Sequence, residues 1–173
     1  ILISLVLSKA KEKFIFKFAK KMQAFAISPI DGRYRNSVKE LTNYFSEFAL
    51  TRYRLEVEIK YFLALQQTLC SLIQLEENQI KAILGILTHF NEKDYEKIKT
   101  LEAETNHDVK AVELFLREKF DEIGLTPLKE WIHFGLTSQD INNTAFPMMI
   151  RDAFQQVLLP SLQNLLSEIK VHA

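Results

Sequence analysis

The residues able to do chemistry in this 173-residue chain fall into three short segments. In "TNHDVKAVELF" (105–115), Asn106, His107 and Asp108 stand directly ahead of an apolar-periodic run. A hydroxyl or amide there caps a helix, so Thr105 or Asn106 is the expected N-cap, with Asp108 favoured by the positive end of the dipole. Capping does not explain His107, because an imidazolium is disfavoured at that end. A neutral imidazole there can hydrogen-bond a ligand, or take up a proton when an anion arrives. "GLTSQDIN" (135–142) repeats the theme with two hydroxyls in succession. Thr137 or Ser138 caps the helix, with Thr137 and Asp140 approximating a capping box, and one of the two hydroxyls is left over. Spare N–H groups, a spare hydroxyl and the dipole make an anion site, and Gly135 is read as keeping the approach uncrowded. The third segment, "SPIDGRY" (28–34), carries turn signals followed by Arg33 and Tyr34. Arginine can grip a carboxylate or phosphate with two hydrogen bonds, and tyrosine can stack on a flat ring. Three anion-friendly elements point to a small polyanionic ligand.

Other polar residues read as structural. His133, between Trp131, Ile132 and Phe134, is a packing histidine, and His89 and His172 show no partner pattern. Glu56 and Glu58 do not share a helix face and read as solvated. Arg52 falls on an apolar stripe, where it either snorkels or pairs with an acid.

The elements that must carry these segments are helical from Asn36 onward. Phe45, Phe48, Arg52, Leu55, Ile59, Phe62, Gln66 and Leu69 recur at steps of three and four, which predicts one long helix with a single stripe. Ile80, Ile83, Leu84, Leu87 and Phe90 predict a shorter one, and residues 91–104 a charged, solvated helix. A helix over about 107–122 should turn Val109, Val112, Leu116 and Phe120 inward, with Lys110, Glu113, Arg117 and Asp121 opposite and Glu113–Arg117 a supporting pair. Gly124 and Pro127 should stop it. The final helix should start near Ser138 and run on, with Ile141, Ala145, Met148, Asp152, Gln155, Leu159, Leu162, Leu166 and Ile169 on its apolar row. Pro147 and Pro160 should kink it without ending it.

Bulk properties narrow the class. Twenty-two basic and twenty-two acidic residues balance, which argues against a general nucleic-acid binder. The single cysteine, Cys70, forms no internal disulfide or Cys-based zinc cluster and fits a reducing compartment such as the cytoplasm. Four glycines and four prolines are too few for an all-β architecture. Residues 1–21 run from apolar to basic, the reverse of a secretory signal, and their apolar start is too short to span a bilayer. They read as sequence upstream of a natural start at Met22, in preference to a basic amphipathic helix on a membrane surface.

Taken together, "SPIDGRY", "TNHDVKAVE" and "IHFGLTSQDINN" resemble the adenylosuccinate lyase family of the fumarase/aspartase superfamily, in its bacterial branch. The resemblance runs from about Met22 to the end; Gln139 departs from the Glu common in that branch. It implies an all-α fold, with an N-terminal helical domain over 22–126 and the start of a long-helix bundle over 127–173. It also implies a homotetramer, no metal or organic cofactor, a small-molecule nucleotide substrate, and β-elimination of fumarate. By this likeness Arg33 and Tyr34 would bind the nucleotide. Asn106, His107 and Asp108 would line the substrate pocket, and Thr137 and Ser138 would hold a succinyl carboxylate. The family's general-acid His and base Ser have no matching motif here and are expected beyond Ala173, so the chain alone is expected to be inactive. Argininosuccinate or malate lyases fit the "SPIDGRY" and "TNHD" pair less well. The alternative is a non-catalytic helical module kept for subunit association.

Overall fold

A computed structural model describes residues 28–69 and 72–172; residues 1–21, Met22 and Cys70 lie outside the described residues. The chain divides into two compact units, one ending at Thr42 and the other running from Asn43. In the first, Ser28 donates from its backbone N–H and its hydroxyl to Asp31 Oδ1 (2.9 and 3.0 Å), which closes the turn. A short 3₁₀ helix, Lys39–Leu41, follows.

The second unit is built on helices. They are α1 (Glu47–Thr68), α2 (Glu77–Thr88), α3 (Glu92–Thr105), α4 (Asp108–Glu122), α5 (Ser138–Ala153) and α6 (Leu159–His172). A 3₁₀ helix, Thr126–Trp131, joins α4 to α5, and no strand occurs among the described residues. The all-α class is therefore as expected.

α1 is buried on two sides rather than along one stripe. Ala49, Tyr53 and Val57 form one row, and Leu55, Ile59 and Phe62 another. The second row meets Ile83 of α2, Ile98 of α3 and the α4 face of Val112, Leu116 and Phe120. Phe62 and Phe120 pack edge-to-face at 4.9 Å. The first row meets Val109, Ile141, Ala145 and Met149, which seats α5 against α1. Each such side chain contributes about 1.5–3 kcal/mol when fully buried, so α1 is the axis of the unit. Phe45 precedes the helix and is exposed, and Arg52 lies over the Tyr53 ring, 4.7 Å from its centroid.

Two acids depart from the periodicity reading. Glu58, expected in solvent, is fully buried, and so, at 5% exposure, is Glu113. Glu58 has a distant partner, His133, that a one-helix pattern does not reveal, whereas the partners of Glu113 lie on its own helix. Glu113 accepts from Lys110 Nζ (2.7 Å) and Arg117 Nη1 (3.3 Å), so the expected Glu113–Arg117 pair forms, but under cover. Gly124 ends α4 at φ +76°, and the Leu125 N–H bonds Phe120 O at 2.7 Å, as a left-handed C′ glycine should.

The final helix begins at Ser138 and passes through Pro147 and Pro160 without ending. Its buried row is Ile141, Ala145, Met149 and Ala153; Met148 and Asp152, expected on it, are only half-buried. A π-helical turn, Phe154–Leu158, ends two residues before Pro160. A proline ring collides with the carbonyl four residues back and offers no N–H, and a widened turn relieves both problems. Beyond it α6 buries nothing, and Leu162, Leu165, Leu166 and Ile169 are each about half exposed or more. No helix of the described residues is long and apolar enough to cross a membrane.

Candidate functional site at two helix starts

α3 runs into α4 with only two residues between them. Asn106 ends α3 in the left-handed region (φ 51°), a conformation asparagine tolerates better than most residues. His107 then caps α4, its Nδ1 accepting the Lys110 N–H at 3.2 Å. This corrects the expected cap: Thr105 instead turns its hydroxyl to Leu101 O (2.8 Å), and Asn106 belongs to the preceding helix. The bond fixes the ring. With Nδ1 accepting, a neutral imidazole carries its proton on Nε2, which faces outward as a donor.

What Nε2 faces is Ser138 Oγ, 3.4 Å away. At the start of α5, Asp140 accepts from both the N–H and the hydroxyl of Thr137 (2.7 and 2.8 Å). Those bonds hold the Asp140 carboxyl below the usual aspartate range, the backbone N–H first and the hydroxyl second. Thr137 therefore caps the helix with its proton committed, and Ser138 keeps a hydroxyl for other use. Two helix N-termini, an imidazole N–H and a serine hydroxyl thus meet at one place. A concavity of about 490 Å³ opens on the His107 side of this point, lined by Lys99, Glu102, Ala103, Asn106, His107 and Asp108. Anions suit such ends because first-turn N–H groups lack helical partners.

Below the meeting point lies a polar row on α1. Arg54, 6% exposed, donates from Nη2 to Asp108 Oδ2 (2.7 Å) and from Nε to Asn142 Oδ1 (3.0 Å). Partial burial of Asp108 opposes its charge, but the Val109 N–H and the Arg54 guanidinium outweigh that and keep its pKa below the ordinary value. One turn along α1, Glu58 Oε1 lies 2.5 Å from His133 Nδ1. Glu58 Oε2 is buried with no hydrogen-bond partner among the described residues, and burial pushes this carboxyl up, only partly offset by His133. His133 has φ 60°, and Tyr61 Oη donates to Phe134 O at 2.8 Å, so α1 also anchors the loop ahead of α5. Gly135 follows at φ +73°, and a Cβ added there would meet no heavy atom within 4 Å. The left-handed backbone is by itself a reason for glycine there.

Residues 32–173 match the lyase family. The chain belongs to that family. It is similar to the adenylosuccinate lyases of Legionella pneumophila (strain Corby), 48% identical over 147 residues, and Dictyostelium discoideum, 48% over 149. That of Escherichia coli (strain K12) is 41% identical over 148 residues. These alignments cover 83–84% of this chain and 32% of each relative, so the chain spans about a third of their length.

Of the residues singled out in sequence, His107, Asp108, Thr137 and Ser138 come together, with Asn106 at the adjoining corner. Arg33 and Tyr34 belong to the other unit, where Arg33 Nη2 donates to Tyr34 Oη at 2.9 Å and its guanidinium lies 4.9 Å from the ring centroid. The periodicity singles out Arg52 and passes over Arg54. The available signal is "YRLEVEIKYF", where Arg54 and Glu58 stand four apart in a largely apolar stretch. His89, without an evident partner in sequence, contacts Gly85 O through Nδ1 (2.8 Å) at the end of α2. Among the described residues no group of three or more His, Cys, Asp or Glu could hold a metal.

Proposed function

We propose that this chain is the substrate-clamping part of an adenylosuccinate lyase, a cytoplasmic homotetramer that needs no cofactor. The reaction is β-elimination: the carbon–nitrogen bond of adenylosuccinate, or of the succinyl-aminoimidazole-carboxamide ribotide of purine biosynthesis, breaks and fumarate leaves. In this reading 22–126 is the N-terminal helical domain and 127–173 begins the central bundle. The observation that carries it is the 3.4 Å approach of His107 Nε2 to Ser138 Oγ, donor beside hydroxyl at two helix starts. The names of the relatives supply the substrate.

Ser138 gives its hydroxyl to a succinyl carboxylate, and Thr137 shapes the turn that exposes the first N–H groups of α5. His107 donates from Nε2 and orients the substrate; Asn106 and Asp108 complete that wall. Arg33 and Tyr34 take the nucleotide by charge and stacking. The general acid and the base come from elsewhere in the enzyme, so the chain by itself binds without turnover.

The test is a hybrid in which residues 32–173 replace the matching third of the Escherichia coli relative. Fumarate release should survive in the hybrid, and Ser138→Ala should lower kcat/KM by about 10–100-fold, the scale of losing one hydrogen bond to a charged group. Unchanged turnover in Ser138→Ala sinks the assignment. The exposed apolar side chains of α6 favour a second reading, a helical module that serves association alone. An inactive hybrid, together with self-association in sedimentation, would select it.

A further inference from the structure

We propose that Arg54 is a positioning residue: it sets the register of α4 against α5 that brings His107 to Ser138. Its importance for turnover rests on the functional reading above; its effect on geometry does not. Arg54 leaves the middle of α1 with its side chain 8% exposed, and its two bonds go to two different helices. Asp108 is the residue after His107. Asn142 is one helical turn beyond Ser138, on the same face. One planar guanidinium therefore grips both helix starts next to the residues that meet.

The apolar cluster beneath, Tyr53, Val109, Ile141 and Ala145, holds the helices together. Apolar contact is non-directional and resists separation more than sliding. A guanidinium fork fixes direction, and a lysine ammonium, a point charge on a flexible stem, does not reproduce it. Arg54 also balances the charge of Asp108, which otherwise stands uncompensated where an anion is to bind. A buried arginine with one arm unpaired is costly, which keeps both arms engaged.

The experiment is NMR on the full 173-residue chain, reading the cross-peak between the His107 ring protons and Ser138 Hβ. Asn142→Ala removes one arm only, and Arg54→Lys keeps the charge without the fork; the cross-peak should be lost in both. Val109→Ala, a core truncation that lowers Tm, should leave it in place, which separates positioning from general loosening. Persistence of the cross-peak in Asn142→Ala and Arg54→Lys overturns the proposal, as does its equal loss in Val109→Ala. Titration with fumarate addresses the functional reading separately. If fumarate shifts no His107 signal in the wild type while the variants lose the cross-peak, the positioning role stands and the substrate assignment fails.

Discussion

His107 Nε2 and Ser138 Oγ lie 3.4 Å apart across 31 residues of chain. The distance is at the loose end of hydrogen bonding, so the contact brings two donors together without locking them to each other. Each stands at a helix start for a different reason. His107 caps α4 with one ring nitrogen and presents the other, while Ser138 sits just inside a cap that Thr137 already makes.

The two duties of His107 can be separated by substitution. His107→Ala removes the acceptor for the Lys110 N–H and should lower unfolding free energy by about 0.5–2 kcal/mol. His107→Asn restores a strong cap and should regain most of that stability. In the hybrid enzyme, however, His107→Asn should stay impaired in kcat/KM. Denaturant unfolding of the chain and fumarate release by the hybrid give the two readings. Full activity in His107→Asn would assign the histidine to capping alone.

The neighbouring hydroxyls should divide the other way. Thr137→Ala loses the side-chain bond to Asp140 and should destabilise by about 1 kcal/mol. Ser138→Ala should stay within about 0.5 kcal/mol of wild type, because Ser138 is only half-buried and its hydroxyl takes no part in the Thr137–Asp140 cap. Equal loss of Tm in the two would mean that Ser138 shares the capping.

Tyr53 gives a pH signature. Its hydroxyl, on a residue 1% exposed, donates to Asp152 Oδ2 at 2.9 Å. Burial, then the bond to Asp152, push its pKa from 10.0 up to about 12. The folded chain therefore keeps a proton that the unfolded chain releases between those values. The contribution is complete below pH 10 and is lost as pH rises through 12; its size is about 2–3 kcal/mol. Tyr53→Phe should lack this alkaline loss. Parallel stability curves for wild type and variant from about pH 9 to 12 would contradict it.

Gly135→Ala should cost about 1–2 kcal/mol from the left-handed backbone alone, since nothing crowds the position. Gly135→Asn should cost less, because asparagine visits that region more readily. Thermal melts of the two variants decide it, and an alanine variant as stable as wild type would show that the turn has relaxed.

How much of this can be read in the sequence depends on how local each cause is. The inward face of α4, its stop at Gly124, the Thr137–Asp140 capping box and the presence of one spare hydroxyl beside it follow from residues within a turn or two of each other; which of Thr137 and Ser138 is spare does not. The burial of Glu58 does not, because its partner His133 is 75 residues away in the chain. A buried acid looks the same as a solvated one until that partner arrives. His107 is hard to foresee as a cap because imidazole is outside the usual capping set, and its ring must be held neutral to serve. Arg54 is hidden by the same distance: its two acceptors are on helices whose packing no single-helix period describes. The apolar row of α5 starts where a heptad places it, at Ile141 and Ala145, and then runs one residue late, at Met149 and Ala153. A seven-residue spacing assumes supercoiled packing, and α5 instead packs on α1 at four-residue steps.

The π-helical turn at Phe154–Leu158 has a consequence for how the chain can change. Such a turn holds one residue more than ordinary winding would. Deleting one residue of that stretch would restore regular winding and leave α6 facing nearly as it does, because the widened turn absorbs the extra residue. A deletion in the regular helix before it would instead swing all of α6 by about 100°. The leucines of α6 would keep their facing after the first change and lose it after the second, while His107 and Ser138 stayed as they are. The widened turn is thus a place where the chain can lose a single codon without re-aiming the surface beyond it.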